Sequence, residues 1–365
     1  MSPRFEIRPA EANDSSALIS LIDQTPQEGQ VHLNFERNPD FFHATGVTTT
    51  EPDVWVMIDH QNAILLASFS IGKREVYVDG RKRITRYGND LRIHQDYRGG
   101  RTLIRLFKKY HQLMQDEWMQ TVILDDNKTS INAIGSGRLS LPTYHQAGQF
   151  LTHMVDMKKK QYKPVMLSVR RAKEEDKPQM QAFFNLNAPL KEFYPCYDFS
   201  QVGTSSSYYR GIKIEDYYLA YDDDGLVGMC GVWDQKAYKQ TRFVSYQGKM
   251  KTLRHLNNLK SKLFGGLQLP KPGECANYLS MHSIVCDDNK VDIFKDLLNT
   301  ILKHYHNSKY EALIFGFDKR DPLHQASDGL KAYQLLSNHY LASYQNNPTE
   351  ALDKNRLFYL EPTRL

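Results

Sequence analysis

Asp90, Arg92 and His94 alternate along a stretch that runs directly into Tyr97-Arg98-Gly99-Gly100-Arg101-Thr102-Leu103. These types and spacings suggest two chemistries. A carboxylate or imidazole on one side of a strand can take or deliver a proton, directly or through water. Two glycines ahead of a helix let successive backbone N–H groups face one concavity, where the helix dipole and the guanidiniums of Arg98 and Arg101 favour an anion. The combination reads as a place that holds a diphosphate and moves a proton a few residues upstream. The plainer alternatives are a glycine turn capping a surface helix and the polar outward face of a half-buried strand.

The elements that must position these residues follow from periodicity. Leu91 and Ile93 take the other side of the strand, and from Thr102 the apolar residues Leu103, Leu106, Phe107 and Tyr110 recur at helical spacing. The surrounding order is strand (5–8), helix (14–22), a loop with a helical stretch through Phe41-Phe42, strands (54–58, 64–73, 84–93), helix (102–115), strand (120–124) and a helix opening within 126–133. The opening recurs. Phe5-Glu6-Ile7-Arg8-Pro9-Ala10 with Asp14, Leu18 and Ile22 returns 162 residues later as Leu167-Ser168-Val169-Arg170-Arg171-Ala172 with Asp176, Met180 and Phe184. The same offset places 58–66, which turns at Gln61-Asn62, over 220–228, which turns at Asp224-Gly225. Two units of one fold are expected, with a boundary near residue 160 where Lys158-Lys159-Lys160 and Tyr162-Lys163-Pro164 read as a linker.

This strand, glycine loop and helix resemble the acetyl-CoA loop of the GNAT superfamily, the Gcn5-related N-acyltransferases, whose pattern is roughly (Gln/Arg)-x-x-Gly-x-(Gly/Ala). Tyr97-Arg98-Gly99-Gly100 matches it, although the next family glycine falls near Arg101. The resemblance, of the bacterial double-GNAT type, implies an α/β (α+β) chain of two tandem GNAT-like domains, 1–160 and 161–365. Each would be a mixed, mostly antiparallel twisted sheet flanked by helices. It implies acetyl-CoA or another acyl-CoA held by Leu91, Ile93, Arg98, Gly99, Gly100, Arg101, Thr102, Leu103 and Asn127, the last of which would equally serve as a helix N-cap. It implies acetyl transfer to an amine, on a small molecule or a peptide, by direct attack in a ternary complex. Asp90 is the first choice for the base, with His94 beside it. The family's acid is a Tyr seven residues after the Asn. Position 134 is Ile, so the next phenol, Tyr144, is the candidate. The rival readings are another acyl or aminoacyl transfer, or a CoA-binding sensor or scaffold without catalysis.

The second unit keeps the strand (278–285), helix (291–305) and strand (313–317) but replaces the glycine turn by Cys286-Asp287-Asp288-Asn289-Lys290. Two carboxylates there oppose a diphosphate, so this half is expected to be degenerate. Trp233-Asp234 could line an acceptor pocket, or be core and turn. Length suits two domains, since 365 residues exceed what one usually needs. A net charge of +5, spread out, lacks the dense stripe that nucleic acid would require. No segment approaches the roughly 20 apolar residues of a span, and Met1-Ser2-Pro3-Arg4-Phe5 lacks a signal-peptide core, so no membrane partner is expected and the chain reads as cytoplasmic. The four cysteines have neither zinc-ribbon nor disulfide-framework spacing, and no metal is expected. Oligomeric state is not legible.

Overall fold

Both halves open with the same local physics. Arg8 in β1 (Phe5–Pro9) and Arg170 in its counterpart each fork onto the aspartate that begins the next helix, with Nη1 2.7 Å from Asp14 Oδ2 and 2.7 Å from Asp176 Oδ2. The same oxygens accept the N–H groups of Glu11 and Lys173 at 2.7 and 2.8 Å. A charge-assisted fork combined with a cap fixes the angle between strand and helix.

The computed structural model describes residues 4–135 and 140–365, so 1–3, the head of the N-terminal segment read above, lie outside it. From β1 the first half continues through α1 (Ser15–Gln24), β2 (Val31–Glu36), α2 (Phe41–Thr48), β3 (Val54–Asp59), β4 (Ile64–Ser70), β5 (Lys73–Val78), β6 (Arg81–Tyr87) and β7 (Asn89–Ile93). It ends with α3 (Gly100–Met114), β8 (Met119–Leu124), α4 (Lys128–Ile134) and β9 (Thr143–Asp156). The second half runs β10 (Ser168–Arg171), α5 (Lys177–Asn187), β11 (Tyr217–Tyr221), β12 (Leu226–Trp233) and β13 (Gln240–Tyr246). After α6 (Met250–Phe264) come β14 (Tyr278–Cys286), α7 (Val291–Tyr305), β15 (Ala312–Asp318) and β16 (Ala332–Ser343).

One ten-stranded sheet, ordered β10-β11-β12-β14-β15-β9-β16-β8-β6-β5, carries strands of both halves, and β1-β3-β4-β7 form a second sheet. In the ten-stranded sheet the longest antiparallel pair is β9 and β16, with Thr143 opposite Ser343 and Val155 opposite Ala332. The outer edge of β9 takes β15, and that of β16 takes β8. Each half thus inserts its last long strand beside a strand of the other. A further antiparallel two-stranded sheet across the halves joins β2 to β13. The largest core cluster reflects this, since Ala44, Val47, Tyr77 and Val155 pack with Phe184, Trp233 and Phe315.

Two details depart from the periodicity. The stretch 84–93 is two strands in two sheets, broken at Gly88, where a Cβ would lie 2.6 Å from Met119 Sδ and whose N–H donates to Gln120 O at 2.8 Å. The stretch 64–73 likewise stops at Ser70 and gives way to the β5–β6 hairpin. The α3 prediction holds, and Leu106, Phe107, Tyr110 and Met114 are buried against Phe69 of β4, whose ring centroid is 4.2 Å from that of Tyr110. Each such side chain contributes roughly 1.5–3 kcal/mol by burial.

Candidate functional site

β6 and β8 run parallel only while Arg86 faces Met119 and Tyr87 faces Gln120. Beyond the Gly88–Gln120 hydrogen bond β7 turns to pair with β4, and β8 continues beside β16. A wedge opens between them. Residues 121–124 of β8 stay half-buried at its side, and Phe107 and Tyr110 belong to the apolar cluster beneath it. On β7 a bulge interrupts the ladder, for Ser68 and Ser70 face Arg92 and Asn89, and Asp90 takes the left-handed backbone conformation at φ 50°.

The glycine turn and α3 close the wedge at one end. Gly99 has φ 106°, a conformation L side chains rarely adopt, and a Cβ there would meet nothing within 4 Å. The amides of the first turn of α3 have no acceptor within the helix, a local geometry that suits an anion. Thr102 is buried, Leu103 packs on the cluster with Phe107, and Arg101 is exposed. Arg98 does not wait free. Its Nη1 donates to Glu28 Oε1 at 2.9 Å, and Thr129 Oγ1 of α4 donates to Glu28 Oε2 at 3.0 Å. These two donors hold the Glu28 carboxyl below its usual range. A carboxylate therefore already lies against the arginine of the loop. Asn127 caps α4, with Oδ1 accepting from Ser130 N at 3.1 Å.

Along β7 the alternation is real but its sense is inverted. Arg92 is buried and Leu91 is 38 % exposed, because the polar side meets charged partners in the interior. Arg37 Nη2 lies 3.1 Å from Asp90 Oδ2, and both side chains are almost wholly buried. Asn89 Nδ2 donates to the same carboxylate, and Arg92 Nη1 donates to Thr25 O at 2.8 Å. Burial pushes the Asp90 carboxyl up, yet Arg37, Arg92 and Lys239 outweigh it and hold it below the ordinary value. Burial, then Arg37, drives the Lys239 ammonium well below its usual range. That amine donates to the main-chain oxygens of Thr363 and Leu365 at 2.9 and 3.0 Å. His94 accepts from Asp96 N at 3.4 Å and stands edge-on to Tyr97, and Ile93 is half-buried. Tyr144 is the second residue of β9, and desolvation pushes its phenol up, so it stays protonated at neutral pH.

The structure thus brings Asp90, Gly99 and the start of α3 to one wedge, with Asn127 at the start of α4. Glu28, Arg37, Thr129 and Lys239 were not found by sequence reasoning. Arg37 and Asp90 lie 53 residues apart, so no local pattern signals their contact. The one trace is Gly29, where a Cβ would fall 2.8 Å from Asp126 Oδ2, marking a close approach of that loop to α4. Among the described residues no group of three or more His, Cys, Asp or Glu is placed to hold a metal.

The corresponding wedge between β14 and β15 is filled. β14 pairs with β15 only from Tyr278 to Ser280, carries a bulge with Ser283 at φ 49°, and then diverges. The C-terminal segment enters the gap. Glu361 accepts Ser283 N at 2.8 Å, Tyr359 Oη lies 3.3 Å from Ile284 N, and Tyr197 donates to Glu361 at 2.7 Å. Arg364 pairs with Glu361, both fully buried, and lies over the Tyr208 ring at 3.5 Å. Trp233 is core, 1 % exposed, and Asp234 bonds Tyr310 at 2.8 Å.

No family model and no curated protein matches the sequence. Solved structures do match. A GCN5-related N-acetyltransferase from Anabaena variabilis aligns at 13 % identity and TM-score 0.52, over 94 % of this chain and 73 % of that one. An N-myristoyltransferase from Saccharomyces cerevisiae, solved with bound myristoyl-CoA, aligns at 11 % identity and TM-score 0.61, over 98 % and 84 %. The chain shares the fold of these N-acetyltransferase and N-myristoyltransferase structures. At these identities the likeness concerns the fold, and the chemistry must be argued from the wedge.

Proposed function

We propose that the chain is an acyl-CoA-dependent N-acyltransferase with its cofactor site in the β7–β8 wedge. One observation carries this reading. Of two wedges of common design, only the first keeps an open glycine cradle at a helix start. The residues fit the cofactor, with the amides from Gly99 to Leu103 and the Arg98 guanidinium for its diphosphate, Leu91 and Ile93 along its arm, and Asn127 at α4. When bound, that group supplies the activated acyl carbonyl. The protein's share is to hold the acceptor amine and move a proton. Asp90 on β7 is the residue assigned to take the acceptor's proton, directly or through water. The half-buried Tyr144 phenol has a proton to give the departing sulfur, and His94 supports the turn. The acceptor is a small-molecule or peptide amine, and the units meet near residue 160, with 161–365 lacking a cofactor loop.

Acetyl is the first choice of acyl group. A longer chain is the second reading, supported by the N-myristoyltransferase match. Mass analysis of thioester that co-purifies with the protein decides between them, and turnover over a panel of amines tests catalysis itself. Binding without any turnover would leave a sensor.

A further inference from the structure

The turn that leads into the glycine cradle has little to hold it. Gln95, Asp96, Arg98 and Gly99 are all exposed, and Gly99 faces open space. Its entry is fixed by the main chain, where His94 N donates to Leu66 O at 2.8 Å, and its exit is α3. Between these ends, among the described residues, two side chains bond the turn to the rest of the protein. One is Arg98 on Glu28, the contact that an entering diphosphate replaces. The other is Tyr97, whose hydroxyl donates to Asp59 Oδ2 at 3.1 Å and accepts from Asn62 Nδ2 at 2.8 Å.

Asp59 is a fixed point. Its carboxylate, fully buried at the end of β3, also accepts from Arg4 Nη2 at 2.9 Å, Gln61 N at 3.0 Å and Asn62 Nδ2 at 3.0 Å. The hydrogen bond from Arg4 pulls the carboxyl down to about 2, so it is ionised throughout the neutral range. An ionised carboxylate accepts only, which makes the phenol the donor. A hydrogen bond to a charge is stronger and more directional than the apolar contact the Tyr97 ring makes with the cluster of Leu106 and Phe107.

The second half repeats the device without the cradle. Asn289 is the third residue of its turn, as Tyr97 is of the first. The two are 192 residues apart, the separation of Asn89 from Met281, which face Ser70 and Val232 across equivalent ladders. Asn289 Nδ2 donates to Asp321 Oδ1 at 2.9 Å, and Asp321, also fully buried, pairs with Lys191 at 2.6 Å. Each turn is pinned through its third residue to a buried carboxylate that a cation holds in place. In the first half the pin stands beside an open glycine, so it can act on a ligand.

We propose that Tyr97 is a positioning residue for the cofactor, its hydroxyl on Asp59 keeping the glycine turn in the shape that receives a diphosphate once Glu28 has given up Arg98. This rests on the reading of the β7–β8 wedge as an acyl-CoA site. Amides from Gly99 to Leu103 bind an anion well when they already converge, because a turn that must be ordered on binding forfeits part of the gain as lost conformational freedom. With Arg98 turned to the ligand, the Tyr97 phenol is the side-chain bond that remains to prevent that loss.

The probe is coenzyme A, titrated calorimetrically into the full chain and its variants. Tyr97→Phe keeps the ring and removes the hydroxyl, and should weaken coenzyme A about tenfold with a melting temperature close to the parent's. Asn62→Ala, at an exposed position, removes the second partner of the hydroxyl and should weaken it about two- to threefold, whether or not Tyr97→Phe folds. Asn289→Ala, the matching change in the second half, should lower the melting temperature and leave the affinity as it was. In turnover, Tyr97→Phe should raise KM for acetyl-CoA and move kcat by less than about twofold. Coenzyme A bound equally by the parent and Tyr97→Phe overturns the proposal and leaves the wedge reading standing, as does an equal loss of affinity in Asn289→Ala. A parent chain that binds no coenzyme A overturns the wedge reading itself, and the proposal with it.

Discussion

Between β7 and β8 residues 121–124 stay half-buried and Gly99 faces open space, whereas between β14 and β15 every residue from 279 to 286 and from 315 to 318 is buried. Both wedges have the same frame, a bulged strand leading through one short 3₁₀ turn, Gln95–Tyr97 or Asp287–Asn289, into a 15-residue helix. What differs is the content. In the second, Lys290 sits between Asp287 and Asp288 where the first has Arg98 and a glycine, and residues 359–364 occupy the gap. A duplicated frame therefore allows one copy to stay open for a ligand while the other is filled by the chain itself. The filled wedge joins the halves, since Arg364 Nη1 also donates to Val47 O of α2 at 2.7 Å.

The sharpest separation of the two comes from equivalent strand positions. Asp90 in β7 corresponds to His282 in β14, which is fully buried among Tyr197, Tyr217 and Trp233. Asp90→Asn should lower turnover by about 10²- to 10⁴-fold with cofactor affinity nearly unchanged, because a missing base acts on the chemical step. His282→Asn should leave turnover per folded molecule unchanged and lower the melting temperature. If Asp90→Asn keeps full activity while Tyr144→Phe or His94→Ala abolishes it, the proton leaves by another route.

Stability should divide the same way. Arg364→Ala strands a buried Glu361 carboxylate, for which the expected loss is about 3–5 kcal/mol. Arg98→Ala removes an exposed pair with Glu28, for which about 0–1 kcal/mol is expected. Denaturant melts of the two variants check this, and a large loss for Arg98→Ala would mean that the first wedge is as structural as the second. Sequence reading could not foresee the contrast. The strand, glycine turn and helix were legible because Leu103, Leu106 and Phe107 keep helical spacing over a short window, and the duplicated opening because Arg8–Asp14 and Arg170–Asp176 are six residues apart. The filling of the second wedge was not, since Arg364 and Val47 are 317 residues apart and nothing in 359–364 marks it as core. The inward sense of Asp90 and Arg92 was hidden for the same reason, because alternation gives two faces without saying which is inside.

Cofactor stoichiometry tests the comparison directly. Equilibrium dialysis should return one acyl-CoA per chain, and two equivalent sites would refute the filled wedge. Gly99→Glu, which adds a side chain at positive φ and a negative charge beside the cradle, should weaken binding by roughly tenfold or more with the fold intact. Unchanged affinity would remove the loop from the site.

The smallest expected effect has the opposite sign. Glu28 accepts from both Arg98 and Thr129, so a diphosphate entering the cradle must displace its carboxylate. Glu28→Gln keeps the shape and removes the charge. The Arg98–Glu28 pair is exposed on both sides and worth about 0.2–1 kcal/mol, so affinity for acyl-CoA should rise only about 2- to 5-fold. The carboxyl lies below its ordinary pKa, hence it is ionised throughout the neutral range and its pairing is lost only as pH falls through that lowered value. The ratio between variant and parent should therefore stay constant from pH 8 to 6 and shrink in acid, as protonation of Glu28 makes the parent resemble the variant. Calorimetric titration at several pH values reads both the sign and the plateau. Weaker binding by Glu28→Gln would mean that this carboxylate braces the glycine turn for its ligand, and the first wedge would then be held in shape by an acidic side chain much as Glu361 holds the second.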